Sequence, residues 1–112
     1  MSQAANTEAL LYSRLGGDPD LGELVVMFVE EMPCRTATLS ECFDGGDLEG
    51  LRRLAHQLKG AAGSYGFDLL TPFAARLESA VRDEEPIAQV QAALEELLEL
   101  CHRLRAGTAG NQ

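Results

Sequence analysis

The sequence predicts an all-α fold: an antiparallel four-helix bundle with an additional short N-terminal helix. Three observations lead there. Leu, Ala, Glu and Arg are abundant while β-branched residues are sparse, aromatics reach only 5% and Trp is absent, a composition that favours helices over pleated strands. Apolar residues recur at helical spacing, and no segment alternates apolar and polar residues for long enough to make a convincing strand. Gly, Pro and Asp cluster at intervals that divide the chain into long amphipathic segments with short connections, the pattern of an antiparallel bundle. With 112 residues, 46% of them apolar and 24% charged, the chain suits one domain and one core. Order is expected over about residues 7–106, with both ends flexible. The length excludes a kinase with its own nucleotide-binding domain, a doubly wound dehydrogenase and a large multidomain enzyme.

Residues 1–6 read as a frayed end and residues 7–15 as the short helix, with Leu10, Leu11 and Leu15 inward, broken by Gly16-Gly17-Asp18-Pro19. From residue 20 to about 43 runs a long helical pattern with Leu21, Leu24, Val25, Phe28, Met32, Leu39 and Phe43 in or near one stripe. Pro33 removes the backbone bond to Val29, so a kink within one element is expected. Asp44-Gly45-Gly46-Asp47 forms a turn, and Asp47 is placed to cap a helix from residue 48 to about 65. The next helix starts between residues 68 and 72, where Thr71-Pro72 looks like a cap and a first-turn proline, and continues to about residue 84. Glu85-Pro86 repeats the start signal for a last helix to about residue 105, stopped by Gly107. Residues 107–112 are expected to be disordered.

Nine basic residues against eighteen acidic ones give a net charge of −9. That balance argues against nucleic-acid binding, which needs a basic face, and against docking on an anionic membrane. No run approaches the roughly 20 apolar residues of a membrane span, and the first residues lack a signal peptide's basic start and apolar centre. A soluble, cytoplasmic protein is expected. Cys34, Cys42 and Cys101 are odd in number and lack paired spacing, so they read as packing residues in a reducing compartment. The two histidines, His56 and His102, have no Cys or carboxylate spacing around them that suits a metal site, and no Cys–His nucleophile signature occurs.

One helix departs from simple packing logic. In residues 48–66, at about 100° per residue, Leu48, Leu51, Leu54, Ala55, Leu58, Ala62 and Tyr65 fall in one sector. Arg52, Arg53, His56, Lys59, Gly60 and Gly63 fall in another, nearly opposite, so His56 should face solvent among cations and glycines. Each glycine costs a helix interior about 1 kcal/mol relative to alanine. Exposed at positions 60 and 63, they gain nothing for packing but let another molecule approach the His56 ring. Lys59, the only lysine in the chain, is one turn from His56 and brings a mobile ammonium within reach of anything bound to the imidazole.

The whole string His56-Gln57-Leu58-Lys59-Gly60-Ala61-Ala62-Gly63-Ser64-Tyr65-Gly66 resembles the phosphoacceptor motif of histidine phosphotransfer (HPt) domains: a histidine, any residue, Leu-Lys-Gly, then small residues and a further glycine. Upstream, Gly46-Asp47 and Arg53-Leu54-Ala55 resemble the start of the phosphohistidine helix. Downstream, Leu77-Glu78 resembles the Leu-Glu near the middle of the next helix. The resemblance covers about residues 20–83, and the helix layout is similar across nearly the whole chain. It implies a single-domain phosphorelay intermediate that takes a phosphoryl group from a receiver-domain aspartate and passes it to another, without binding ATP.

By the same resemblance His56 is the phosphoacceptor nucleophile, Lys59 stabilises phosphoryl charge, and Gly60 and Gly63 keep the approach clear. A neutral imidazole is a good nucleophile near pH 7, and positioning with charge stabilisation dominates phosphoryl transfer. Arg52 and Arg53 are read as docking cations for an acidic receiver pocket. The implied partners are receiver domains of response regulators, a hybrid histidine kinase, or both, met by a monomer. No cofactor is expected in this chain; the metal ion belongs to the receiver. Glu78 on the neighbouring helix is one candidate hydrogen-bond partner for the second ring nitrogen of His56, but most glutamates there are simply solvated, so it is not counted in the site. The rival reading is a non-catalytic helical adaptor binding a receiver or another signalling partner through the same face. Free-standing carrier and domain of a larger hybrid kinase both fit the length.

Overall fold

The computed structural model describes residues 9–108. Its elements are β1 (Leu11–Tyr12), α1 (Gly22–Asp44), α2 (Leu48–Ser64), α3 (Leu70–Arg82), α4 (Ile87–Cys101) and β2 (Leu104–Arg105). The four helices bury the residues that helical spacing places on one side. They are Val25, Phe28, Met32 and Leu39 from α1, Leu51, Ala55, Leu58 and Ala62 from α2, Leu70, Ala74, Leu77 and Ala80 from α3, and Val90, Leu94, Leu97 and Cys101 from α4. Phe67 closes the core below the end of α2, its ring stacked on Phe28. The α2–α3 pair is the most extensive helix contact.

The boundaries of α2 follow from its ends. The Asp47 side chain accepts a hydrogen bond from the Gly50 amide at 2.9 Å, satisfying one of the first-turn donors. At the other end Gly66 takes φ +82°, a left-handed conformation that a side chain resists. Helix α1 runs unbroken through Pro33, which is exposed, and the Thr36 hydroxyl donates to the Pro33 carbonyl at 3.0 Å. Leu21 and Leu24, expected in the α1 core stripe, are exposed. Leu24 sits about 100° around the helix from Val25, which takes the inward position.

The additional N-terminal helix is replaced by a strand. Leu11–Tyr12 pairs in parallel with Leu104–Arg105, and the Leu11 amide donates to the Arg103 carbonyl at 2.8 Å. An isolated helix shorter than about 12 residues is marginal because its first turn is costly to nucleate. Here the extended segment finds partners at the far end of the chain. Beyond it the Ser13 hydroxyl donates to the Tyr65 carbonyl at 2.5 Å, and the Arg14 amide donates to the Gly66 carbonyl at 3.1 Å. Residues 11–15 thus form a strap across the end of α2. Residues 1–8 and 109–112, which hold the expected frayed start, the first residues of the expected N-terminal helix and all but residues 107 and 108 of the expected disordered tail, lie outside the described residues.

The same pairing shortens the last helix. It stops at Cys101 rather than near residue 105, because Leu104 is turned into the core and its backbone joins the strand pair. Helix α3 begins at Leu70, so Thr71 and Pro72 lie inside its first turn and Thr71 is not the cap; Pro72 lacks an N–H where first-turn N–H groups have no helical partner. The helix ends at Arg82, and Glu84 turns the chain in a left-handed conformation at φ 56°. Of the cysteines only Cys101 is buried, and burial pushes its thiol up to about 12; Cys42 is half-buried and Cys34 exposed.

Candidate functional site

Helix α2 presents three sectors. Leu51, Ala55, Leu58 and Ala62 are buried; Arg53, His56 and Gly60 are exposed; Arg52, Lys59 and Gly63 are half-buried between them. This intermediate sector faces α3. A Cβ on Gly63 would lie 3.9 Å from the Thr71 hydroxyl oxygen of that helix, whereas a Cβ on Gly60 would meet open space. Gly60 therefore leaves a clear approach beside His56, and Gly63 serves the seam between helices as well as the open face.

The His56 side chain is 62% exposed, yet its ring is anchored from below. Nδ1 lies 2.8 Å from Oε2 of Glu78, whose side chain is only 9% exposed. The other carboxylate oxygen, Oε1, lies 2.8 Å from the Lys59 ammonium. One buried carboxylate thus joins the imidazole and the lysine. The hydrogen bond from Lys59 and then that from His56 hold the Glu78 carboxyl below the usual carboxylate range, against the opposing pull of burial. An ionised carboxylate only accepts hydrogen bonds, so its contact with the ring requires the proton on Nδ1. In the neutral ring that leaves the lone pair on Nε2, the nitrogen on the other side of the exposed imidazole.

The two arginines behave differently. Arg52 is clamped to Glu49, with Nε 3.1 Å and Nη2 2.5 Å from its carboxylate oxygens. Arg53 is exposed and makes no ion pair among the described residues. No group of three His, Cys, Asp or Glu side chains that could hold a metal ion occurs among the described residues.

The sequence motif, the four helices and an exposed histidine on the second of them agree with one family model, the Hpt domain, which matches residues 23–107. The protein belongs to the Hpt domain family. No curated protein and no solved structure matches the chain. Membership gives it a phosphotransfer-related role in two-component signalling, where Hpt domains interact with receiver domains. Among the described residues no helix is long and apolar enough to cross a membrane. The strap of β1, Ser13 and Arg14 precedes the matched part of the Hpt domain.

Glu78 is the residue that reading the sequence left out of the site. A signal was present: Leu70, Ala74, Leu77 and Glu78 follow helical core spacing, and all four are buried. A carboxylate inside an apolar stripe must find a partner, because an unpaired buried charge is very costly. The facing helix offers His56, Lys59, Arg52 and Arg53, and the structure pairs Glu78 with the first two.

Proposed function

We propose that this Hpt domain is a phosphorelay intermediate in which His56 accepts a phosphoryl group from a receiver-domain aspartyl phosphate and passes it to the aspartate of another receiver. The observation that carries this reading is the exposed imidazole held by its Nδ1 proton on buried Glu78. That arrangement supports Nε2 as the nucleophile. Its lone pair forms the N–P bond as the P–O bond to the aspartyl carboxylate breaks, and the carboxylate leaves with the electron pair. No proton needs to move. The ring gains positive charge, which the Glu78 carboxylate stabilises; in the second step the acceptor aspartate forms a P–O bond as the N–P bond breaks, and the electron pair returns to Nε2 to leave a neutral imidazole.

In this reading Glu78 is a positioning residue, fixing the tautomer and orientation of the ring, as outer-shell carboxylates do for metal-bound histidines. Lys59 neutralises charge on the phosphoryl oxygens. Open space at Gly60 admits the partner, and the receiver supplies the metal ion.

The test is incubation with receiver domains phosphorylated on aspartate by acetyl phosphate. Label should transfer to the wild-type protein as an acid-labile, base-stable adduct and should be absent from His56→Gln. Binding of receivers that survives in His56→Gln, with no label on the wild-type protein, would support an adaptor instead and overturn the carrier reading.

A further inference from the structure

The strap brings a cation to the site from the other end of the sequence. Arg14 is held there by its backbone bond to Gly66 and by the neighbouring Ser13 hydroxyl on Tyr65. A Cβ on Gly66 would collide with that hydroxyl, so residue 66 is shaped to receive the strap. The Arg14 guanidinium lies 2.7 Å from Asp68 and 3.5 Å from the Gly63 carbonyl. Gly63 is two turns from His56 on α2, a rise of about 10 Å. Arg14 therefore borders the open face on its C-terminal side, as Arg53, three residues before His56, borders it on the other.

We propose that Arg14 is a docking residue for the receiver, a cation that exchanges Asp68 for a carboxylate at the rim of the partner's acidic pocket. This rests on the phosphorelay reading and extends it to a residue outside the matched part of the domain. Exchange is cheap because both members of the Arg14–Asp68 pair are 59% exposed, and such pairs contribute little to stability. The inner cations are differently placed: Lys59 is bound to buried Glu78 and Arg52 is clamped to Glu49. In a chain of net charge −9, an acidic partner is repelled overall, so cations on the docking rim decide the encounter.

The experiment measures both receiver affinity and the second-order rate of phosphoryl transfer for Arg14→Ala, Asp68→Asn and a control, Arg76→Ala. Arg76 is also ion-paired, with Glu85 at 2.8 Å, but lies about 200° around α3 from Glu78. Arg14→Ala should weaken binding and slow second-order transfer about 5- to 10-fold at low salt, with the loss shrinking as salt rises. Asp68→Asn should leave both equal or improved, since it frees Arg14 and removes a negative charge. Arg76→Ala should change neither. If the Arg14–Asp68 pair only tethers the strap, Arg14→Ala and Asp68→Asn will act in the same direction, and the proposal is overturned; an unchanged Arg14→Ala overturns it as well. A wild-type protein that binds receivers without accepting phosphate would sink the carrier reading alone, because affinity still decides the role of Arg14.

Discussion

Replacing Gly60 with leucine should make the protein more stable and the transfer far slower. Gly60 is a helix-interior residue whose added Cβ would meet open space, so nothing in the fold opposes a side chain there. Relieving the glycine's backbone entropy stabilises the helix by about 0.5–1 kcal/mol, which raises the unfolding midpoint by roughly 2–4 °C in a domain of this size. The functional effect has the opposite sign. Residues 56 and 60 are one turn apart, with Cβ atoms about 5–6 Å from each other. Under the proposed function, a leucine at 60 fills the space through which an aspartyl phosphate comes to within about 3–3.5 Å of Nε2. Misplacement by about 1 Å can cost roughly 100-fold, so Gly60→Leu should lose at least that much in transfer rate and Gly60→Ala only a few-fold. Thermal unfolding and phosphoryl transfer from one phosphorylated receiver, on the same samples, provide the comparison. Modification of His56 by diethylpyrocarbonate checks that the ring stays reactive. Wild-type transfer by a folded Gly60→Leu protein would refute the open-approach reasoning, and a destabilised variant would show that the glycine is needed for the fold.

Three further outcomes follow from the same contacts. Lys59→Ala should slow transfer and also destabilise by about 1–3 kcal/mol, more than an ordinary surface lysine, because it leaves one oxygen of buried Glu78 without its partner; chemical denaturation measures this, and a loss within 0.5 kcal/mol would mean the pair is not formed in solution. Glu78 has its pKa lowered on folding, so its contribution is present above about pH 4.3, the unfolded value, and is lost as pH falls through the lowered one. The stability gap between wild type and Glu78→Gln should therefore narrow between pH 5 and pH 3, and a gap that widens would contradict the assignment. Asp47→Ala should cost about 1 kcal/mol through the lost cap on Gly50, visible in the unfolding midpoint, while transfer by the folded fraction stays at the wild-type rate.

What could be read from the sequence was local. Asp47 caps α2 as its position predicts, and the apolar sector of that helix is the buried one, because both depend on residues within a turn or two of each other. What could not be read was set by distant partners. Leu11 and Leu104 form one strand pair, but two residues carry no periodicity, and their pairing is decided by how the bundle brings the chain ends together. The strand at Leu11 and the early end of α4 have the same cause, since Leu104 cannot be helical and also pair with Leu11. Leu24 shows the limit of a broad apolar stripe: with Val25 beside it, only one of the two can point inward.

Within the site, the exposure of His56 and Gly60 follows the helical spacing, whereas Arg52, Lys59 and Gly63 are half-buried rather than open to solvent. Dividing α2 into an apolar and an open sector leaves out the flank that faces a neighbouring helix. Lys59 lies on that flank, with Arg52 and Gly63, so its ammonium turns to Glu78 rather than to solvent. An ammonium carries three donors, so under the proposed function Lys59 can keep one on Oε1 of Glu78 and offer another to a phosphoryl oxygen on His56. The same carboxylate holds the Nδ1 proton of the ring through Oε2 as the ring becomes positive. A lysine free in solvent would neutralise the phosphoryl group alone. A lysine shared with Glu78 couples neutralisation of the phosphoryl group to stabilisation of the ring that carries it, which a reversible carrier needs in both directions of transfer.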